Sequence, residues 1–318
     1  MNKGVISLGE ALIDFIPLDQ ENLTYQKSPG GAPANVSVGL ARLGVKSTFL
    51  GKVGDDVLGR FLQDTLKNYG VDVSTLILTE SARTGVVFVT NAENGERSFD
   101  FYINPSADRF LNAEEISGEL FAHHRILHFG SISMISEPSR SATKKAVETA
   151  KEKGMLVSYD PNLRLGLWES EERAKETIVS MLSEADILKL SEEELKFITG
   201  EENVEAGIKK LAHYKIPVIF ITMGGEGSLV FTPDYSLRVP AMKVKAVDTT
   251  GAGDAFVSGI LHGFNEYEGS LSELTREELE SMTQFASVSG ALAAATKGAM
   301  TALPTKAEVE DILMKEMK

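Results

Sequence analysis

The stretch Asp248-Thr249-Thr250-Gly251-Ala252-Gly253-Asp254-Ala255-Phe256 has the residue types and spacing for chemistry on an anion. Leu237–Val247 before it reads as extended, and an apolar stretch with helical spacing follows through Leu261. The nonapeptide is therefore expected to be a loop that opens a helix. Two threonines stand at capping positions and two glycines allow close backbone approach to a ligand. The first N–H groups of such a helix point outward with partial positive charge and make an anion site. Asp254 falls about one turn in. A carboxylate there makes sense if a hydroxyl that attacks the phosphate must lose a proton. A capped helix with an acidic first turn would look the same locally. The helix start should depress the Asp254 pKa, leaving a weak base that suffices if the proton moves late.

Other segments carry polar groups where ligands bind. Gly30-Gly31-Ala32-Pro33-Ala34-Asn35 enters a helix with small residues, so Asn35 would face a ligand at its first turn. Asp160-Pro161-Asn162-Leu163-Arg164 ends a buried strand and could bind hydroxyls or carboxylates. Lys189-Leu190-Ser191-Glu192-Glu193-Glu194 also ends a strand; its acids could hold magnesium through water, although Ser191 and Glu194 fit a capping box better. Gly224-Gly225-Glu226-Gly227 follows a strand and reads as a turn that could touch a nucleotide. Gly39–Ser47 misses the phosphate-binding P-loop pattern because Val45 displaces the lysine and the glycines follow a helix. His124 and His128 are expected to be core or edge residues too far apart for one metal.

The elements that must position these residues alternate. Val5–Gly9, Ser47–Gly51, Ile126–Gly130, Met155–Asp160, Ile187–Leu190 and Val218–Met223 read as strands. Residues 34–43, 56–69, 138–153, 171–183, 203–213, 252–265, 276–296 and 305–316 read as helices. Runs apolar on both faces, alternating with helices, imply an α/β fold with a mainly parallel sheet covered on both sides. Its ligands would sit beyond the carboxyl ends of the strands. Residues 12–29 and 84–103 break the rhythm, the latter turning at Asn94-Gly95. They are expected to form a small antiparallel sheet, a lid or an oligomer surface, on one domain spanning 1–318.

The net charge of −14 argues against nucleic acid but not against a nucleotide held by backbone N–H groups, lysine and magnesium. The absence of cysteine excludes disulfides, thiolate catalysis and cysteine-ligated zinc. The start of the chain is too soon broken for a signal peptide and no apolar run spans a membrane, so the cytoplasm is expected.

In this order, the pieces resemble the ribokinase-like carbohydrate kinases, the PfkB family, over essentially the whole chain. One family signature looks like Gly30–Asn35 through Gly44, and the second, highly specific, looks like Asp248–Phe256. Gly9–Phe15, Gly95–Phe99, Asn104–Asp108 and Asp160–Arg164 look most like the bacterial fructokinase branch. That branch often has a basic residue in place of Ile103 and Met-Leu in place of Arg109-Phe110, and many members have Asn in place of Ser191.

The resemblance implies a three-layer α/β/α fold with a β lid, and ATP-dependent phosphorylation of a sugar, D-fructose to fructose 6-phosphate. A 2-keto-3-deoxygluconate kinase is the alternative. A non-catalytic sugar sensor fits poorly with Asp254 present, and a nicotinamide-dependent dehydrogenase lacks its fingerprint. By the same resemblance Asp254 is the base, and Gly251, Ala252 and Gly253 form the anion hole. Asp14, Gly30, Gly31, Asn35, Arg97, Phe99, Phe101, Asn162 and Arg164 contact sugar. Lys189, Thr222, Gly224, Gly225 and Gly227 lie along the nucleotide. Glu194 helps organise Mg2+, and Asp248, Thr250, Ala293 and Gly298 surround K+. A homodimer through the lid would fit.

Overall fold

The computed structural model describes residues 3–91 and 97–316. Along the chain run β1 (Val5–Leu8), β2 (Leu12–Pro17), β3 (Tyr25–Gly30), α1 (Ala32–Arg42), β4 (Ser47–Gly54), α2 (Val57–Asn68), β5 (Leu76–Thr79), β6 (Gly85–Asn91) and β7 (Arg97–Phe101). Then come α3 (Gly118–Phe121), β8 (Ile126–Phe129), α4 (Ser139–Glu152), β9 (Leu156–Tyr159), α5 (Glu171–Val179), β10 (Ile187–Ser191), α6 (Glu192–Thr199) and α7 (Val204–Leu211). The last are β11 (Val218–Thr222), β12 (Ser228–Phe231), β13 (Ser236–Val239), α8 (Ala252–Glu266), α9 (Arg276–Ala294) and α10 (Lys306–Glu316).

Among the described residues the large sheet has nine strands in the order β13-β12-β11-β10-β9-β8-β1-β4-β5. β12 pairs antiparallel with both its neighbours; the other pairings are parallel. β1, β4 and β8 are buried at every position, because helices cover both faces of the sheet. Ile6 and Leu8 point into a core closed by α4, α5, α6 and α7, while Val5 points to the side of α1, α8 and α9. On that side Phe264 of α8 meets Phe220 of β11 edge-on, ring centroids 6.4 Å apart. Burying such a side chain contributes roughly 1.5–3 kcal/mol. That packing fixes α8 against the sheet and so fixes where its first turn points.

The second sheet, β3-β2-β6-β7, stands over the ends of the large one. It is mixed, not antiparallel as the sequence implied: β2 pairs with β6 in parallel, Asp14 opposite Val87. The chain leaves β2 and returns to β6 through β3, α1, β4, α2 and β5, a non-local pairing that hairpin signals do not report. β6 and β7 pair antiparallel as expected; the Asn94-Gly95 turn lies outside the described residues. Three further differences are local. α1 starts at Ala32, two residues early, since Pro33 suits a first helical turn. α6 is too short for its periodicity to register, although its capping box was legible. The extended segment before the nonapeptide ends at Val239, and no regular structure follows until α8.

Candidate active site

A cleft of about 480 Å³ opens between the two sheets. Below, its wall is Glu10, Asn35, Lys189 and residues of the Thr249–Asp254 turn; above, it is Leu12, Asp14, Val87, Phe99 and Phe101 of the lid; Ile132, Asn162 and Arg164 close the side. Glu10 follows the carboxyl end of β1, Asn162 and Arg164 follow that of β9, and Lys189 lies in β10, so the cleft sits where open α/β sheets bind ligands. A larger hollow of about 840 Å³ lies on the outer surface beside α4, where Lys145 pairs with Glu148 and Lys151 with Glu184.

The start of α8 is the cleft's centre. Gly251 is the N-cap at φ 80°, a left-handed conformation that favours glycine. The two threonines are therefore not caps. Thr249 instead accepts Ala252 N–H through its carbonyl, at 3.2 Å. The next N–H groups face the cleft. Lys189 Nζ lies 3.8 Å from where a Cβ on Gly253 would sit, so an ammonium stands beside the anion site.

Asp254 is 8 % exposed, and its Oδ2 accepts a hydrogen bond from Asn35 Nδ2 at 2.7 Å. Burial pushes its pKa up to about 6, against the lowering effect of Asn35 and with Asp160 adding to the rise. This corrects the expected depression: loss of water around a buried carboxylate outweighs the helix start. The result is a better base near neutral pH. Asp14 reaches about 7 by burial, with Arg164 opposing and Asp254 reinforcing.

Lys189 Nζ is 3.2 Å from Asp160 Oδ2. Burial alone would lower the lysine pKa, but the Asp160 and Glu194 carboxylates overcome it and hold the ammonium charged. Asp160 therefore partners Lys189. Arg164 is exposed, and its Nη1 donates to the Leu163 carbonyl at 3.0 Å.

Behind the turn, Asp248 Oδ1 accepts Thr250 N–H at 3.0 Å and Oδ2 accepts Gly298 N–H at 3.2 Å. Ala294 O accepts the N–H groups of Val247 and Asp248. The turn and the segment from buried Ala293 to Gly298 are thus tied together, as expected. Glu194 is buried as the cap of α6, Oε2 on Ser191 N–H and Oε1 on Leu163 N–H, each at 2.8 Å. Thr222, Gly224, Gly225 and Gly227 stand at the end of β11, the strand beside Lys189's strand, outside the cleft wall. Arg97 opens β7, the strand that brings Phe99 and Phe101 to the cleft. His124 and His128 are buried and separately engaged, by Thr48 at 2.9 Å and by Ser158 at 3.1 Å.

Sequence reasoning gave no role to Glu10. It is 3 % exposed, and its Oε1 accepts Ala32 N–H at 3.1 Å, clamping the Gly30-Gly31 entry to β1. Burial, reinforced by Asp108 and Asp254, lifts its pKa to about 8. A carboxylate at the end of a fully buried strand was the available signal.

No helix among the described residues is long and apolar enough to cross a membrane. Residues 2–306 match the model of the pfkB family carbohydrate kinases. "Fructokinase-1" of Oryza sativa subsp. japonica is 45 % identical over 311 residues, 96 % of either chain. A fructokinase double mutant from Vibrio cholerae O395, solved with fructose, ADP and potassium ion, superposes with a TM-score of 0.90 at 40 % identity, covering 98 % of this chain and 99 % of that one. The fructokinase of Xylella fastidiosa with bound ATP reaches a TM-score of 0.92 at 32 % identity over the full length of both. A cleft built around a buried carboxylate at a helix start, and a family match over nearly the whole length, place the chain in the pfkB family of carbohydrate kinases.

Proposed function

We propose that the protein transfers the terminal phosphoryl group of ATP to the 6-hydroxyl of D-fructose, giving fructose 6-phosphate and ADP. One observation carries this reading: a base with a pKa of about 6 sits in the first turn of a helix whose N–H groups share its cleft. The fructokinases above, solved with fructose and ADP or with ATP, support the choice of sugar and nucleotide.

Asp14, Asn35, Asn162 and the backbone of Gly30 and Gly31 orient the sugar hydroxyls. Phe99 and Phe101, on the strand that Arg97 opens, exclude water from above. Asp254 accepts the proton of the attacking hydroxyl. The N–H groups of Gly253 and Asp254, left free by the Gly251 turn while Ala252 N–H bonds Thr249, hold the transferred phosphoryl oxygens. Each such preorganised donor contributes about 2.7–4 kcal/mol. Lys189 balances phosphate charge, and Thr222, Gly224, Gly225 and Gly227 continue the nucleotide track along the sheet edge.

Mg2+ supplies charge neutralisation at the phosphates. Among the described residues no three Asp, Glu or His side chains are grouped so as to hold a metal ion, and the ion would be held mostly by water and phosphate. Glu194 would orient one of those waters. For K+ the buried Asp248 carboxylate, with Thr250, Ala293 and Gly298, offers hard oxygen donors behind the turn. We read residues 1–318 as one cytoplasmic kinase domain, and the lid, with Leu18, Leu23 and Tyr102 exposed, as the surface for a second copy.

Arg164 favours a second reading, the 2-keto-3-deoxygluconate kinase. Its guanidinium lines the cleft and could pair with a substrate carboxylate. Incubation with ATP and fructose, with the product identified by phosphorus NMR, tests the proposal. Fructose 6-phosphate with stoichiometric ADP is expected; no turnover of fructose would remove it.

A further inference from the structure

Arg109 is 4 % exposed and cannot shed its proton, so its guanidinium needs anionic or polar partners throughout. Those it has are thin. Nη1 reaches Ser136 Oγ only at 3.3 Å, and Nε stands 3.8 Å from Asp108 Oδ2, beyond hydrogen-bond reach. Asp108 itself accepts from the Ser106 hydroxyl. Arg109 lines a small cavity of about 20 Å³, room for one water, whose wall also includes Glu10, Asn104, Ser106 and Asp108. Glu10, Leu12, Phe101 and Ile132 separate this cavity from the sugar cleft and belong to both.

We propose that Arg109 is a positioning residue for the sugar site, acting on the Glu10 carboxyl group through a water in the cavity between them. Glu10 has two duties that conflict without help. It accepts Ala32 N–H, which holds the Gly30-Gly31 entry and the first turn of α1, and it forms part of the cleft floor. Its own backbone N–H and that of Ala32 already bond the carboxyl group, so what remains is engagement on the cavity side. Arg109 supplies that engagement and a countercharge when Glu10 ionises. A shift of Glu10 would move Ala32 and Gly31, both in the cleft wall that the sugar meets. The effect belongs to sugar binding and not to phosphoryl transfer. A plain Asp108–Arg109 ion pair would have a different signature, since replacing both members by neutral residues is often harmless.

The inference rests on the sugar-kinase reading, and kinetics on three variants test it. Arg109→Met should raise the KM for fructose about tenfold, the loss of roughly one charge-assisted hydrogen bond, with kcat and the KM for ATP nearly unchanged. Arg109→Lys should recover part of that loss. The double variant Asp108→Asn/Arg109→Met, which leaves no unpaired buried charge, should fold and keep the raised KM. If the double variant returns to the wild-type KM, or folded Arg109→Met never departs from it, Arg109 is only a structural partner of Asp108. If the wild type turns over 2-keto-3-deoxygluconate and not fructose, the fructose reading falls, and the same comparison is made on that sugar.

Discussion

At Asp254 two influences oppose each other. The helix start and the Asn35 hydrogen bond favour the carboxylate, and burial favours the acid; burial wins, leaving a pKa of about 6. A base must be ionised to work, so kcat/KM should fall on the acid side of about pH 6. Asn35→Ala removes a group that lowers this pKa, so the acid limb should move to higher pH; a limb that stays put would separate Asn35 from the base. Asp254→Asn should lower kcat about 10²–10⁴-fold while ATP and sugar still bind, followed by fluorescence of the single tryptophan, Trp168, and by calorimetry. Near-normal turnover by that variant would exclude Asp254 from the reaction. Asp254, Asn35 and Asp14 were legible because short motifs carry them. Glu10 and the Lys189–Asp160 pair were not, because they arise where three strand ends, distant in sequence, meet in space.

The elements divide the work between a rigid floor and a covering sheet. α8 could be read from the sequence almost to its ends, since glycine turn, acidic first turn and apolar face coincide in one stretch. The lid could be read as two segments but not as a mixed sheet, because β2 meets β6 only after more than 60 intervening residues. Close approach within the lid gives a test. A Cβ on Gly30 would lie 2.2 Å from Asp14 Oδ2, so Gly30→Ala must displace that carboxylate. The KM for fructose should rise about tenfold, one lost charge-assisted contact, and the KM for ATP should stay nearly constant. Equal KM values for fructose in wild type and variant would show that Asp14 does not read the sugar.

Across the whole molecule, the cleft places a load on the fold. Glu10 and Asp14 have folded pKa values of about 8 and 7 against ordinary values of 4.5 and 3.8. Groups raised in this way stabilise fully below the ordinary value, and that stability is lost as pH rises through the folded one. His128 works oppositely. Its pKa is lowered to about 3 by burial and by Lys189, so its contribution is complete above 6.5 and lost as pH falls. Between pH 6.5 and 8 only the carboxyl groups act, and Glu10 alone should cost on the order of 1–2 kcal/mol there. The ligand-free melting temperature should therefore fall over that interval; a flat or rising Tm would contradict the raised pKa values.

Substrate choice is the property on which residues, elements and whole molecule converge. Asp14 and Arg164 face the same cleft, one suited to hydroxyls and the other to a carboxylate. A site that hydrogen-bonds each hydroxyl can reject an analogue lacking one by a factor on the order of 10⁴. The most direct measurement is kcat/KM by ADP release, with fructose and 2-keto-3-deoxygluconate assayed on the same enzyme. Fructose should lead by at least about 100-fold, a conservative discount from that limit. A wild-type preference for the sugar acid, abolished by Arg164→Ala alone, would contradict it.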